Sequence, residues 1–318
     1  MRHTVGVSLT AVGAFFLGIA LMFRLVVPGQ LIKFPLNEDT VTRLAGTNLS
    51  YFNTTQLTEL TGVSVEAINT TSGDVAAGTA STAVWDGFTA VNDETNHQAI
   101  SYSSDRLAFN RRTGQLVNCC GASVGSDTSV HFSGLGDVWP IGVQKQTYQV
   151  FNTTLNKAVP ATYDGTASID GENTYKFVQT VSNDQFATQA VPGSLVGIPS
   201  QPSLTLPEVL TATNTYYVDP TTGAPVDVIE TQSVTLQYNG APKLVLLQGT
   251  LSETPASVSS AVSTAKGYDD EITAVQDIVP IVALLVGLVL VVLGILLISR
   301  RDEEEEEYED EDAVPSEV

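Results

Sequence analysis

The sequence predicts a mainly β outer domain, antiparallel and built either as two similar halves or as a curved half-barrel sheet, flanked by two transmembrane α-helices. Three observations lead there. Two charge-free apolar runs lie near the ends of the 318-residue chain. The stretch between them is rich in Thr, Val, Ser, Tyr and Asn, with turn residues every eight to twelve positions, the composition of paired strands. Two of the turns, FNRRTGQLV and VDPTTGAPV, share one pattern of an Asn or Asp followed by Thr-Gly and Val.

Residues 1–3 precede the first apolar run, TVGVSLTAVGAFFLGIALMF, which starts at Thr4 and is long enough to cross the hydrocarbon of a bilayer. It exceeds the usual length of a signal-peptide core, and no small-residue cleavage pattern follows, so residues 4–27 are expected to remain as a signal anchor. Residues 28–254 form the expected β-rich domain. TAVWDGFTAV and HQAISYS around NDETN read as a hairpin, as do YDGTASIDGENTYKFVQTV and VDVIETQSVTLQYNGAPKLVLLQGTL, each alternating as a sheet with one buried face does.

In the two similar turns, Asn110 and Asp219 are placed to accept hydrogen bonds from the backbone ahead of them. Gly114 and Gly223 supply the left-handed residue that closes the turn. The stretch ATQAVPGSLVGIPSQPSLTLPEVL is expected to break regular pairing at its prolines and to separate two halves. Its Val191, Pro192, Leu195, Val196, Ile198 and Pro199 form either a lip that meets lipid or a partner, or a loop packed on the core.

Val258, Val262, Ala265, Ile272, Val275 and Val279 recur at threes and fours, so 255–277 reads as a helical stalk with Pro280 as a bend. The second crossing, residues 278–299, stops at Arg300 and Arg301, a stop-transfer signal that puts the C-terminus in the cytoplasm. Both termini are then inside and the large domain is outside. Gly6 and Gly13, Ala14 and Gly18, and Gly287 and Gly294 place small residues on single helix faces, for packing within the pair or in a homo-oligomer.

The formal net charge is −21. Much of it comes from residues 300–318, where DEEEEEYEDEDAVPSEV repels itself and is expected to be a disordered cytoplasmic tail. Acids still outnumber bases in the outer domain, which speaks against a nucleic-acid surface.

No catalytic residue, cofactor or metal site is expected. GASVG, with Ser123, matches a nucleophile elbow by letter only, because the last histidine, His131, comes just eight residues later and the alternating helices and strands that such a site requires are missing. His3, His97 and His131 have no zinc spacing. Asn48, Asn53, Asn69 and Asn152 are glycosylation sequons by letter. The two cysteines, Cys119 and Cys120, are neighbours. A vicinal disulfide between them is open as a reading, and so are two buried thiols, an intermolecular bond or a metal role.

IKFPLNEDTVTRLAGT, GDVAAGTASTAVWD, SSDRLAFNRRTGQLVNCCG, FNTTLNKAVPATYDG, TQAVPGSLVGIP and YYVDPTTGAPV, between an N-terminal anchor and a C-terminal membrane helix, resemble the actinobacterial envelope proteins of the porin PorA family. That resemblance implies a membrane location and a large outer domain, and carries no catalytic residue. YYVDPTTGAP is also similar to a turn of the LolA-like half-barrel lipid carriers, which implies a curved sheet with an apolar concave face. The leading functional expectation is non-catalytic, an outer domain that binds a lipid, glycolipid or protein of the envelope. The alternative is an oligomeric channel.

Overall fold

The computed structural model describes residues 2–311 at the level of the backbone and residues 4–299 at the level of side chains. It divides into two compact units, residues 1–32 with 269–318 and residues 33–268.

In the first unit, helix α1 (Arg2–Leu25) precedes the short helix α2 (Val27–Leu31). Residues 4–25 are long and apolar enough to cross a membrane, as is the helical run 255–299. The two long helices pack antiparallel through their glycines. A Cβ placed on Gly6 would lie 2.9 Å from the Gly294 carbonyl oxygen, and one on Gly13 would lie 2.8 Å from that of Gly287. Seven-residue spacing on both helices keeps these positions on one face, where only a missing side chain lets the backbones approach so closely. Ala20 and Ala283 are buried as well, whereas Ala14 and Gly18 are exposed and Gly18 has nothing within 4 Å.

The bend expected at Pro280 is a π turn, Ala274–Ile278, set just before it, with the Val279 N–H donating to the Ala274 carbonyl. Proline has no N–H for the Gln276 carbonyl it would face in an α-helix. That carbonyl instead accepts from Arg24 Nη1 at 3.2 Å, and the same guanidinium pairs with Asp277. Helix α4 runs Val279–Glu311, through Arg300 and Arg301. The acidic side chains of the expected tail and all of residues 312–318 lie outside the described residues.

The second unit is one antiparallel sheet of eleven strands, curled into a half-barrel. Its strands are β1 (Asp39–Asn53), β2 (Thr58–Gly73), β3 (Thr82–Asp93), β4 (Gln98–Asn110), β5 (Ser123–Val124), β6 (Tyr148–Asn152), β7 (Lys157–Ile169), β8 (Glu172–Val191), β9 (Leu204–Val218), β10 (Pro225–Tyr238) and β11 (Ala241–Glu253). Their order across the sheet is β5-β4-β3-β2-β1-β11-β10-β9-β8-β7-β6. The three hairpins read from sequence are β3–β4, β7–β8 and β10–β11, the last closing on Asn239 and Gly240, both at positive φ as the favoured two-residue turn requires.

The half-barrel supersedes the two-halves arrangement, and the break in the meander falls elsewhere than expected. ATQAV and LTLPEVL belong to β8 and β9, with Pro207 paired opposite Thr188. An antiparallel ladder needs an N–H toward a given neighbour only at alternate residues, so a proline can take a position that donates nothing. The real excursion is residues 111–147, which lead from one edge of the sheet to the other. There the rim closes. Val117 N donates to Ala108 O of β4 (2.8 Å), Leu116 N to Gly134 O (2.8 Å), and Leu135 N to Gln149 O of β6 (2.7 Å), so backbone hydrogen bonds run unbroken around that end.

Helix α3 (Pro255–Thr273) begins at a Thr254 cap with Pro255 in its first turn. The segment expected as a stalk is docked here: Val258, Val262 and Ala265 pack on Val226, Ile169 and Tyr217.

Candidate functional site

The two turns singled out from sequence have the same hydrogen bonds. Asn110 Oδ1 accepts from the backbone N–H groups of Arg112 and Thr113 (3.0 and 3.1 Å), and Gly114 N closes on Asn110 O. Asp219 Oδ1 accepts from those of Thr221 and Thr222 (3.1 and 2.7 Å), and Gly223 N closes on Asp219 O. Gly114 and Gly223 have φ of 66° and 76°.

Between the turns lies the segment Val138–Val143. Its Trp139 N donates to Gly223 O and its Ile141 N to Arg112 O, at 2.8 and 2.9 Å. A side chain on Gly114 would strike the Val138 carbonyl, and one on Gly223 those of Trp139 and Pro140. Glycine is therefore required twice at each turn, for its conformation and for close approach. The clasp anchors the long excursion and brings Trp139, 1% exposed, onto Phe177 and Tyr216.

The same device occurs at three further turns, of which the sequence reading identified NDETN as a turn but not its capping side chain. Asn53, Asp93 and Asn152 accept backbone N–H groups two or three residues ahead, and the residue four positions on, Leu57, His97 or Asn156, has positive φ. Two of the sequons, at Asn53 and Asn152, are thus turn caps. Asn-Thr-Thr occurs at both, and also within β2 at Asn69, so the triplet alone does not announce a turn.

Ser123 lies in the two-residue strand β5, paired with Arg106, where no helix follows it as an elbow would require. Cys119 and Cys120 are bonded to each other and exposed, in a loop whose neck is tied by reciprocal hydrogen bonds between Asn118 and Phe132. The proline-rich tip folds inward. Val191 and Val196 are buried with Leu206 and Leu236, Leu195 and Ile198 are half-buried, and Pro192 and Pro199 are exposed.

The inner face of the half-barrel holds what the sequence reading missed. Counted through the register, Asp105 shares a face with buried Leu107 and Phe109, Glu253 with Leu251, and Glu230 with Val228, which stands opposite Tyr216. Glu230 sits opposite Asn214, which sits opposite Gln179. Asn214 Nδ2 and the Tyr216 hydroxyl both reach Gln179 Oε1, at 3.2 and 3.5 Å. Asp137, from the clasped excursion, joins the group through the field of Asp105.

Burial, and secondarily the Asp86 charge, raises Asp105 to about 6. Burial and then Asp105 raise Asp137 to about 7, and burial followed by Asp227 and Glu230 raises Glu253 to about 7. Burial alone raises Glu230, and burial with the Glu230 charge raises the Tyr216 phenol. Asp137 is exposed to water, which weakens the field it feels from Asp105. Among the described residues none of these four carboxylates has a side-chain hydrogen bond or an ion pair. Nor do they form a cluster of metal-ligating groups. The arrangement offers acceptors, amides and a phenol to a neutral, hydroxyl-rich ligand.

The family model for Porin PorA matches residues 5–296. No curated protein matches the chain.

Proposed function

This chain belongs to the Porin PorA family, and from that premise we propose that it is a non-catalytic membrane protein whose two long helices hold a half-barrel binding domain at the bilayer surface. Its ligand is a glycolipid of the envelope. The observation that supports this reading is the inner belt of Asp105, Asp137, Glu230 and Glu253, carboxylates without protein partners beside Asn214 and Tyr216. Unpaired carboxylates inside a protein demand partners, and sugar hydroxyls are donors that bring no charge. An acyl chain alone is a poorer match to this face, which departs from the apolar concavity expected from the half-barrel resemblance. The domain lies on the extracytoplasmic side and both termini are cytoplasmic, the sense in which Arg300 and Arg301 would act as a stop-transfer signal.

An oligomeric channel has less support. The helix pair uses Gly6, Gly13, Gly287 and Gly294 in its own packing, and neither crossing carries a polar stripe. The test is native mass spectrometry of the full-length protein extracted gently from its own membrane. A stoichiometric glycolipid is expected, with retention falling about tenfold in Glu230→Gln, the effect of weakening one charge-assisted hydrogen bond. A closed, lipid-free oligomer that conducts ions in planar bilayers would replace this reading with the channel.

A further inference from the structure

Cys119 and Cys120 lie at the point where the last strand of the sheet is held to its neighbour. The loop from Asn118 to Phe132 leaves the closed rim and returns to it, and between those ends β5 lies along β4. Gly125 N donates to Ser104 O at 2.7 Å, and Ser123 and Val124 stand opposite Arg106 and Asp105. Beyond this short cover, Gln98–Ser103 of β4 has no strand on its open side among the described residues. β5 thus ends the sheet, and its hold on β4 comes from few backbone bonds.

A second tie comes through the cysteines. Arg106 is fixed by Asp74 (Nη2 to Oδ2, 2.6 Å) and Asp86 (Nη1 to Oδ2, 2.7 Å), and its Nε donates to the Cys120 carbonyl at 3.0 Å. Ala122 N closes back on Cys119 O at 3.0 Å. To present that carbonyl, Cys120 has φ of 63° and Gly121 φ of 77°. Glycine takes this region freely and cysteine seldom does. The bond to Cys119 is made at this same turn, and both cysteines are exposed to solvent, open to attack by a thiolate.

We propose that the Cys119–Cys120 bond is a reversible thiol-exchange site that latches β5 onto the edge of β4. A dithiol donor, protein or small molecule, attacks one cysteine sulfur through its thiolate. A mixed disulfide forms and the other cysteine leaves as a thiolate that takes up a proton. The donor's second thiol then attacks the mixed disulfide and departs as its own disulfide, so two electrons and two protons end on Cys119 and Cys120. Freed of the bond, Cys120 relaxes to negative φ and its carbonyl turns away from Arg106. β5 loses one of its two ties, and the open edge of β4 lengthens from Gln98–Ser103 toward Arg106. The neck at Asn118 and Phe132 stays closed, because its hydrogen bonds do not pass through the cysteines.

The test is hydrogen exchange with mass-spectrometric readout on the full-length protein in detergent, oxidised and then treated with dithiothreitol, with thiol counts from intact mass. On reduction, protection at Ala122, Val124 and Gly125 is expected to fall about tenfold or more, while Leu116 and Leu135 keep theirs, and reoxidation restores the first pattern. The Cys119→Ser/Cys120→Ser variant is expected to show the loosened pattern without reductant; if it does not fold, the reduced wild-type protein decides. The proposal fails if protein isolated without reductant has two free thiols, if the bond opens only when the whole domain unfolds, or if two thiols appear with no change at 122–125.

Discussion

The helix pair and the half-barrel solve opposite problems with their interiors. Between the helices four glycines are used up in contact: Gly6 meets Gly294, Gly13 meets Gly287, and what faces outward, such as Phe15, Leu285 and Val289, is apolar and exposed. Inside the curled sheet, apolar clusters occupy the ends while carboxylates without partners hold a belt between them. A contact without polar groups can be filled to closure by packing alone. A belt of unpaired carboxylates is an interior left unfinished, and that makes the sheet rather than the helices the place to look for a ligand.

The sharpest way to break this comparison is at Trp139, which joins the clasped excursion to the wall of the barrel. Trp139→Ala removes a side chain packed on Phe177 and Tyr216 and is expected to cost about 3–5 kcal/mol, read from denaturant unfolding of the full-length protein. Trp139→Phe is expected to cost far less than its lost area suggests, because the indole N–H has no acceptor among the described residues and its removal frees a buried donor. Equal losses in the two variants would mean that the indole N–H is hydrogen-bonded in solution.

In the helix pair the comparable change adds atoms. Gly13→Leu forces a side chain against the Gly287 carbonyl and Val291 and is expected to destabilise the pair by about 1–3 kcal/mol in detergent melts, whereas Gly18→Leu, with nothing within 4 Å, is neutral. If Gly18→Leu were the damaging one, the small residues would be serving an oligomer, and the channel would gain its first physical support.

The two regions also differ in how far the sequence exposes them. The helix spans, the three hairpins and the twin turns at Asn110 and Asp219 are local, and each has its signature within a dozen residues. The excursion 111–147 is not local. Trp139 and Ile141 find their partners at Gly223 and Arg112, and nothing near the cysteines announces that. The inner belt was legible in part: VIETQSV puts Val228, Glu230, Gln232 and Val234 on one face, an acid in an apolar register, which an alternation-based reading takes for ordinary surface polarity. The caps at Asn53 and Asn152 were not legible, because the same three letters at Asn69 lie within a strand.

The smallest expected effect concerns protons, and its sign follows from the belt. Asp105, Asp137, Glu230 and Glu253 all have folded pKa values above their ordinary ones, so between roughly pH 4 and 7 the native state binds more protons than the unfolded chain. Their contribution to stability is complete below the ordinary carboxyl values and is lost as pH rises through about 6 to 7. Three other acids work in the opposite sense and in a lower window. Asp74, held by Arg106, Asp93, desolvated but hydrogen-bonded by Asn96 and Tyr51, and Asp127, which accepts hydrogen bonds from Ser129, are lowered, so what they contribute is lost only as pH falls below the ordinary range. Unfolding midpoints in urea are therefore expected to be higher at pH 5 than at pH 7.5, modestly so because water reaches Asp137, and Asp137→Asn is expected to flatten the difference. A bound hydroxyl-rich ligand supplies the missing donors and should flatten it too, which ties this titration to the occupancy of the belt: a pH dependence that survives ligand unchanged would place the ligand elsewhere.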